Sequence, residues 1–148
     1  LRVVAVIIGR FGDTSGRPFV EGHFLLPSQN LRGNISFLVD TGTDLTMIMP
    51  DDSQRLGIDL DNLSGQQETT GIGGRVETAL ERALITFHEP NSNKLRLYNL
   101  DLDFIYPNSY TRNMPSILGR DIIDRWRINY DPSKDKLTFT VRSADLTA

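Results

Sequence analysis

Asp40 stands at the end of an apolar run. Phe37, Leu38 and Val39 read as a buried strand, and Asp40 follows at once, with the turn pair Thr41 and Gly42 behind it. Moving a carboxylate out of water is costly unless it is hydrogen-bonded, paired or protonated, so a chain that puts one there has a use for it. An Asp-Thr-Gly tripeptide alone is a thin signal. Asp13-Thr14-Ser15-Gly16 is a near-copy, but it sits in a polar loop, whereas Asp40 follows a hydrophobic strand.

Other chemistry-bearing residues are less well placed. His23 lies in a strand-like run and His88 beside Glu89-Pro90, with no ligand spacing between them, so no metal site is expected. Asp101 and Asp103 form a D-x-D pair, and alternation with Leu100, Leu102 and Phe104 predicts a strand with both acids facing outward. No nucleophile elbow marks a serine hydrolase. "TTGIGGRV" lacks the G-K-[ST] ending and following helix of a phosphate loop. A haloacid-dehalogenase-type phosphatase would need Asp at position 42, which is Gly, and an alternating α/β pattern that the chain lacks.

The elements that must position these residues are mostly strands. Val3 to Ile8, Phe19 to Leu26, Ile35 to Val39 and Leu45 to Met49 are short β-type runs separated by "GDTSGRP", "PSQNLRG" and "DTGTD". Thr78 to Phe87 and Leu95 to Phe104 form a hairpin around "HEPNSNK". Near the end, "DPSK" is a turn before "KLTFTV", whose Leu137, Phe139 and Val141 face one way. In "ILGRDIIDRWRI", residues 117 to 128, Ile122, Ile123 and Trp126 fall at helical spacing and predict one short amphipathic helix. Trp126 and the Phe residues are assigned to the core. The pattern is a closed or folded-over β-barrel with one late helix.

Composition bounds the function further. The 148 residues suit about one domain, and 39% hydrophobic with 24% charged is ordinary for a water-soluble protein. A net charge of −3 gives no argument for nucleic acid or an acidic membrane surface as partner. No cysteine is present, which excludes disulfides, thiolate metal sites and a cysteine nucleophile; the compartment stays open, with a lean to a reducing interior such as the cytoplasm. The apolar run in "LRVVAVIIGR" is far shorter than the roughly 20 residues of a spanning helix, so no membrane span is expected in this chain. The chain does not open on Met, which fits a piece of a longer product. Sequons at Asn34 and Asn62 carry almost no weight.

Three segments in order, "FLVDTGTD" at 37 to 44, "GIGG" at 71 to 74 and "SILGRD" at 116 to 121, resemble a retroviral-type (retropepsin-like) aspartic protease, anchoring roughly residues 17 to 130. The resemblance implies a mostly β, retropepsin-like closed barrel over residues 1–148, with a flap hairpin and one short late helix. It implies an aspartic endopeptidase with no cofactor and no metal, cutting peptide or protein substrates with water activated between two aspartates that share a proton. Pepsin-like enzymes carry two such motifs in a chain about twice as long. This chain has one, so the resemblance implies a homodimer in which Asp40 from each subunit meets across the axis.

By the same resemblance Asp40, Thr41 and Gly42 form the catalytic loop, with Thr41 locking the two loops together and Gly42 letting the backbone approach the substrate. Thr43, Asp44 and the flap residues Gly71, Ile72, Gly73 and Gly74 would bind substrate, and Arg120 would pair with Asp44 to hold the loop in register. Position 43 is a departure: retroviral enzymes usually carry Ala there. A hydroxyl beside the carboxylate can hydrogen-bond its charged form, so an acid-shifted activity optimum is expected. Viral dimers also interleave their termini in a shared sheet, whereas here Met49 to Gln67 is longer and "RINYDPSKDKLTFTVRSADLTA" continues well past the helix. A catalytically silent dimeric module of the same fold, binding peptides without cutting them, is the alternative from a different functional class.

Overall fold

Apolar alternation over Leu31–Val39 (β4) pairs it along Arg17–Leu26 (β3), with Ile35 and Phe37 buried against Val20, Phe24 and Leu26. The structure, a computed structural model, describes residues 5–12, 14–71 and 74–148, with the backbone alone at 69–71 and 74–75. Before β3 come Val6–Ile8 (β1) and Arg10–Gly12 (β2). After β4 come Met47–Ile48 (β5), helix Pro50–Leu56 (α1), Gly65–Gly71 (β6), Gly74–Glu89 (β7), Lys94–Ile105 (β8), Ile117–Leu118 (β9), helix Arg120–Ile123 (α2), Trp126–Asp131 (β10), Lys136–Val141 (β11) and Leu146–Thr147 (β12).

The larger sheet runs β12-β8-β5-β9-β4-β3-β7-β6, and β7 also pairs β8 from Thr78↔Ile105 to Glu89↔Lys94, so the strand order from β8 to β7 returns on itself. A second sheet of three strands, β1-β11-β10, packs Ile7, Leu137 and Phe139 onto the same core. One arrangement decides where Asp40 sits. The chain leaves β4, rounds residues 40–46 and enters β5, while β9 inserts between the two, parallel to β4 and antiparallel to β5. Every turn of that loop is thus flanked by β9 and the helix that follows it.

Most predicted strands are present, including the β7–β8 hairpin. Leu45 to Met49 narrows to Met47–Ile48, and of Val3 to Ile8 the described part is a strand from Val6. The short helix expected after Gly119 is present but spans only the four residues Arg120–Ile123. Its last turn is closed by Asp124 N–H to the Arg120 carbonyl, and the Arg125 carbonyl accepts from the N–H groups of Arg142 and Ser143, so the chain passes into β10 at Trp126 instead of continuing as helix. Trp126 still reaches the core, donating its indole N–H to Tyr98 Oη at 2.7 Å among Phe87 and Phe139.

Two expectations are corrected. The late helix is not the only one: α1 begins with Pro50 at its first position, carries Asp51 and Asp52 in its first turn and ends at Gly57 with φ +78°. Asp103 does not face outward. Asp101 does, beside Arg82 at 3.3 Å, but from Leu102 to Ile105 every residue of β8 is buried, because β7 and β5 flank this end of the strand and α1 packs near it.

Candidate active site

Asp40 is half-buried where β4 ends, not fully enclosed as a core position would be. Its N–H donates to the Leu118 carbonyl at 3.1 Å, fixing the residue to β9, and its own loop then holds the carboxylate. Gly42 N–H donates to Oδ1 at 2.9 Å, and the Thr43 hydroxyl donates to Oδ2 at 2.8 Å. Each oxygen accepts one bond from within the loop and keeps a further lone pair for water or a second carboxyl group. The Thr43 hydroxyl therefore lies where the departure at position 43 puts it, against Asp40. A Cβ on Gly42 would stand 3.2 Å from Asp40 Oδ1, tight enough that the carboxylate would have to give way.

The loop is tied down mainly through its backbone. Arg120 N–H donates to the Thr43 carbonyl at 2.8 Å and Asp121 N–H to the Asp44 carbonyl at 3.1 Å, so the start of α2 grips two consecutive loop carbonyls. The Arg120 guanidinium does donate to Asp44 Oδ1, and that bond raises the Arg120 pKa above its ordinary value. The side chains are 48% and 78% exposed, which makes this a surface pair of small stabilising value and not a buried clamp.

A buried network does the stronger work, on residues that sequence reading did not single out. Thr46, fully buried, donates its N–H to Asp121 Oδ2 at 2.9 Å and its hydroxyl to Oδ1 at 2.7 Å, while Gly119 N–H donates to the same hydroxyl at 3.1 Å. Burial pushes the Asp121 carboxyl up, and the Thr46 bonds pull against that shift. At Gly119 a Cβ would lie 2.5 Å from the Leu45 carbonyl carbon, so only glycine permits β9 and the loop to approach this closely. The sequence signal was "LGRD" itself, in which Gly119 and Asp121 flank the arginine.

The glycine-rich segment is the tip of the β6–β7 hairpin. Backbone pairing runs from Gly65↔Leu80 through Thr69↔Val76 and Thr70↔Arg75 to Gly71↔Gly74. Ile72 and Gly73 lie outside the described residues. His23 and His88 stand apart on the surface, beside Asn34 and Asn93, and no group of three or more His, Cys, Asp or Glu among the described residues is arranged to hold a metal. Among the described residues no helix is long and apolar enough to cross a membrane.

The loop presents one carboxylate at the end of a strand, braced by a second strand and a helix turn. Residues 30–122 match the family model described as aspartyl protease, and the chain belongs to that family. Its fold is retropepsin-like. It is similar to the crystal structure of a retropepsin-like aspartic protease from Rickettsia conorii, at 23% identity and a TM-score of 0.56, covering 92% of this chain and 99% of that one. A second similar structure is EIAV protease complexed with the inhibitor HBY-793, at 22% identity and a TM-score of 0.47, covering 76% of this chain and 90% of that one. A search of curated proteins found no match.

Proposed function

We propose that residues 1–148 form a single domain of this type and that it is an aspartic endopeptidase, active as a homodimer with one Asp40 from each subunit facing the other across a two-fold axis. Two carboxyl groups so placed cannot both ionise and share one proton. The ionised Asp40 takes a proton from the bound water as that water's oxygen attacks the peptide carbonyl carbon. The protonated Asp40 gives its proton to the carbonyl oxygen, forming a neutral tetrahedral diol. As the diol collapses, one of its hydroxyl protons passes to the carboxylate now ionised, the C–N bond breaks, and the carboxyl that took the water's proton gives it to the leaving amine, so the pair again holds one proton.

What carries this reading is Asp40 itself: a strand-end carboxylate with each oxygen held by its own loop, at Gly42 N–H and Thr43 Oγ1, and with lone pairs left over. Thr41 and Gly42, both exposed in the protomer, then meet their counterparts, and Thr43 and Asp44 line the path of the substrate backbone. The β6–β7 hairpin closes over the bound peptide, with Gly71 to Gly74 as its tip. In-chain pairing of β1 with β11 and of β12 with β8 supports a dimer built around the loop and hairpin without exchange of terminal strands.

The test is cleavage of an unfolded protein at acid pH by wild type and Asp40→Asn. The variant should keep its circular dichroism and melting temperature and lose activity by about a thousandfold. Equal cleavage by the two, or peptide binding with no cleavage by either, would favour the silent binding module.

A further inference from the structure

Between β5, the start of β7 and the end of β8 lies a cavity of about 200 Å³, room for one long side chain. Its walls are Met47, Met49, Val76 and Ile105, and three polar residues, Thr78, Asp103 and Thr111, complete the lining. The hydroxyl of Thr111 is occupied, accepting from Asn108 N–H at 3.1 Å and donating to the Tyr106 carbonyl at 3.4 Å. The other two polar groups are not. Thr78 and Asp103 are 2% and 6% exposed, and neither Thr78 Oγ1 nor Asp103 Oδ1 has a hydrogen-bond partner among the described residues.

A buried carboxylate with one oxygen unpartnered, in a mostly apolar lining, is costly to a protein that only has to fold. The cost shows in the carboxyl itself, which burial pushes up against a weaker hydrogen-bonding pull from the neighbouring Thr78 hydroxyl. No cation among the described residues is recorded as its ion-pair partner, whereas Asp101, two residues earlier on the same face of β8, faces Arg82 in solvent. The cavity also lies beside the candidate chemistry. Met47 is the first residue of β5 after loop 40–46, Asp103 N–H donates to the Thr46 carbonyl at 3.1 Å, and Val76 is two residues past the described end of the hairpin tip at Gly74.

We propose that this cavity receives one substrate side chain and that Asp103, with Thr78, selects a lysine there, its apolar stem against the two methionines and its ammonium on the two unpartnered oxygens. The inference rests on the aspartic endopeptidase reading and adds a specificity residue to it. An ammonium brings three donors, which Asp103 and Thr78 can largely satisfy, while a guanidinium would bring five into the same small space. Norleucine, with the same stem and no ammonium, would leave the carboxylate unpaired, and sites built to bond a polar group discriminate strongly against analogues that lack it.

The experiment uses paired uncleavable peptides with a reduced scissile bond, carrying lysine or norleucine in turn at each position flanking that bond. Their binding to wild type, Asp103→Asn and Asp103→Leu is measured by calorimetry, and the matching cleavable peptides are assayed beside them. At one position wild type should bind lysine at least about tenfold more tightly than norleucine. Asp103→Leu should reverse that preference and Asp103→Asn should weaken it, with melting temperatures confirming that both variants fold. Cleavage with no lysine preference at any position overturns the pocket and leaves the protease reading standing. An Asp103-dependent lysine preference in binding, without cleavage, supports the pocket and removes the protease reading. Binding and cleavage that never distinguish the paired peptides overturn the pocket assignment.

Discussion

Thr46 is the side chain on which the loop's position depends, because one hydroxyl joins Gly119 N–H to the Asp121 carboxylate. Thr46→Val keeps the shape and removes both bonds, leaving a buried carboxylate and an N–H short of a partner. The expected loss is about 1–3 kcal/mol, read as a lower urea midpoint at unchanged slope. Asp103 and Asp121 bear on pH. Burial raises both carboxyls, so the folded chain binds their protons more tightly than the unfolded chain does. Their relative stabilisation is present below the ordinary carboxylate range and is lost as pH rises through the raised values. Asp103→Leu should therefore raise the melting temperature more at pH 7 than at pH 4; an equal gain at both would contradict the sign. Asp40, Thr41, Gly42 and Arg120 were legible in the sequence because each sits within a recognisable local string. Thr46 and Asp103 were not: the role of Thr46 depends on Asp121, 75 positions away, and the burial of Asp103 depends on β5 and β7 pairing beside the end of β8. The D-x-D alternation pointed the wrong way because it reports one face of a strand, and the end of β8 is covered on both.

At the scale of elements, β9 and α2 act together as the clamp on loop 40–46. Both loop carbonyls at Thr43 and Asp44 and the N–H of Asp40 are bonded to residues 118–121. Their close approach depends on Gly119. Gly119→Ala should cost about 1–3 kcal/mol through overpacking and should also displace the loop, so activity should fall beyond what the loss of folded protein explains. A melting temperature and specific activity equal to wild type would refute this. The short α2 and the missed α1 have a common explanation. Ile122, Ile123 and Trp126 fit helical spacing, but Trp126 already opens β10 and reaches the aromatic cluster from there. In α1 the start and stop signals, Pro50 and Gly57, were present, but only Pro50 and Ser53 of its residues are buried, so there was little apolar periodicity to read.

For the whole molecule, the strand-rich class and the order of the three motifs were readable from sequence, while the pairing of β9 between β4 and β5 was not, because two-residue strands carry almost no pattern. Both described terminal strands pair within the protomer, β1 with β11 and β12 with β8. If Asp40 acts in pairs, catalysis belongs to the dimer. The most direct measurement is a dilution series in which specific cleavage activity and molecular mass, by sedimentation, are followed on the same samples. Specific activity should fall in step with the dimer fraction as the protein is diluted. Constant specific activity in samples that sediment as monomer would contradict the account.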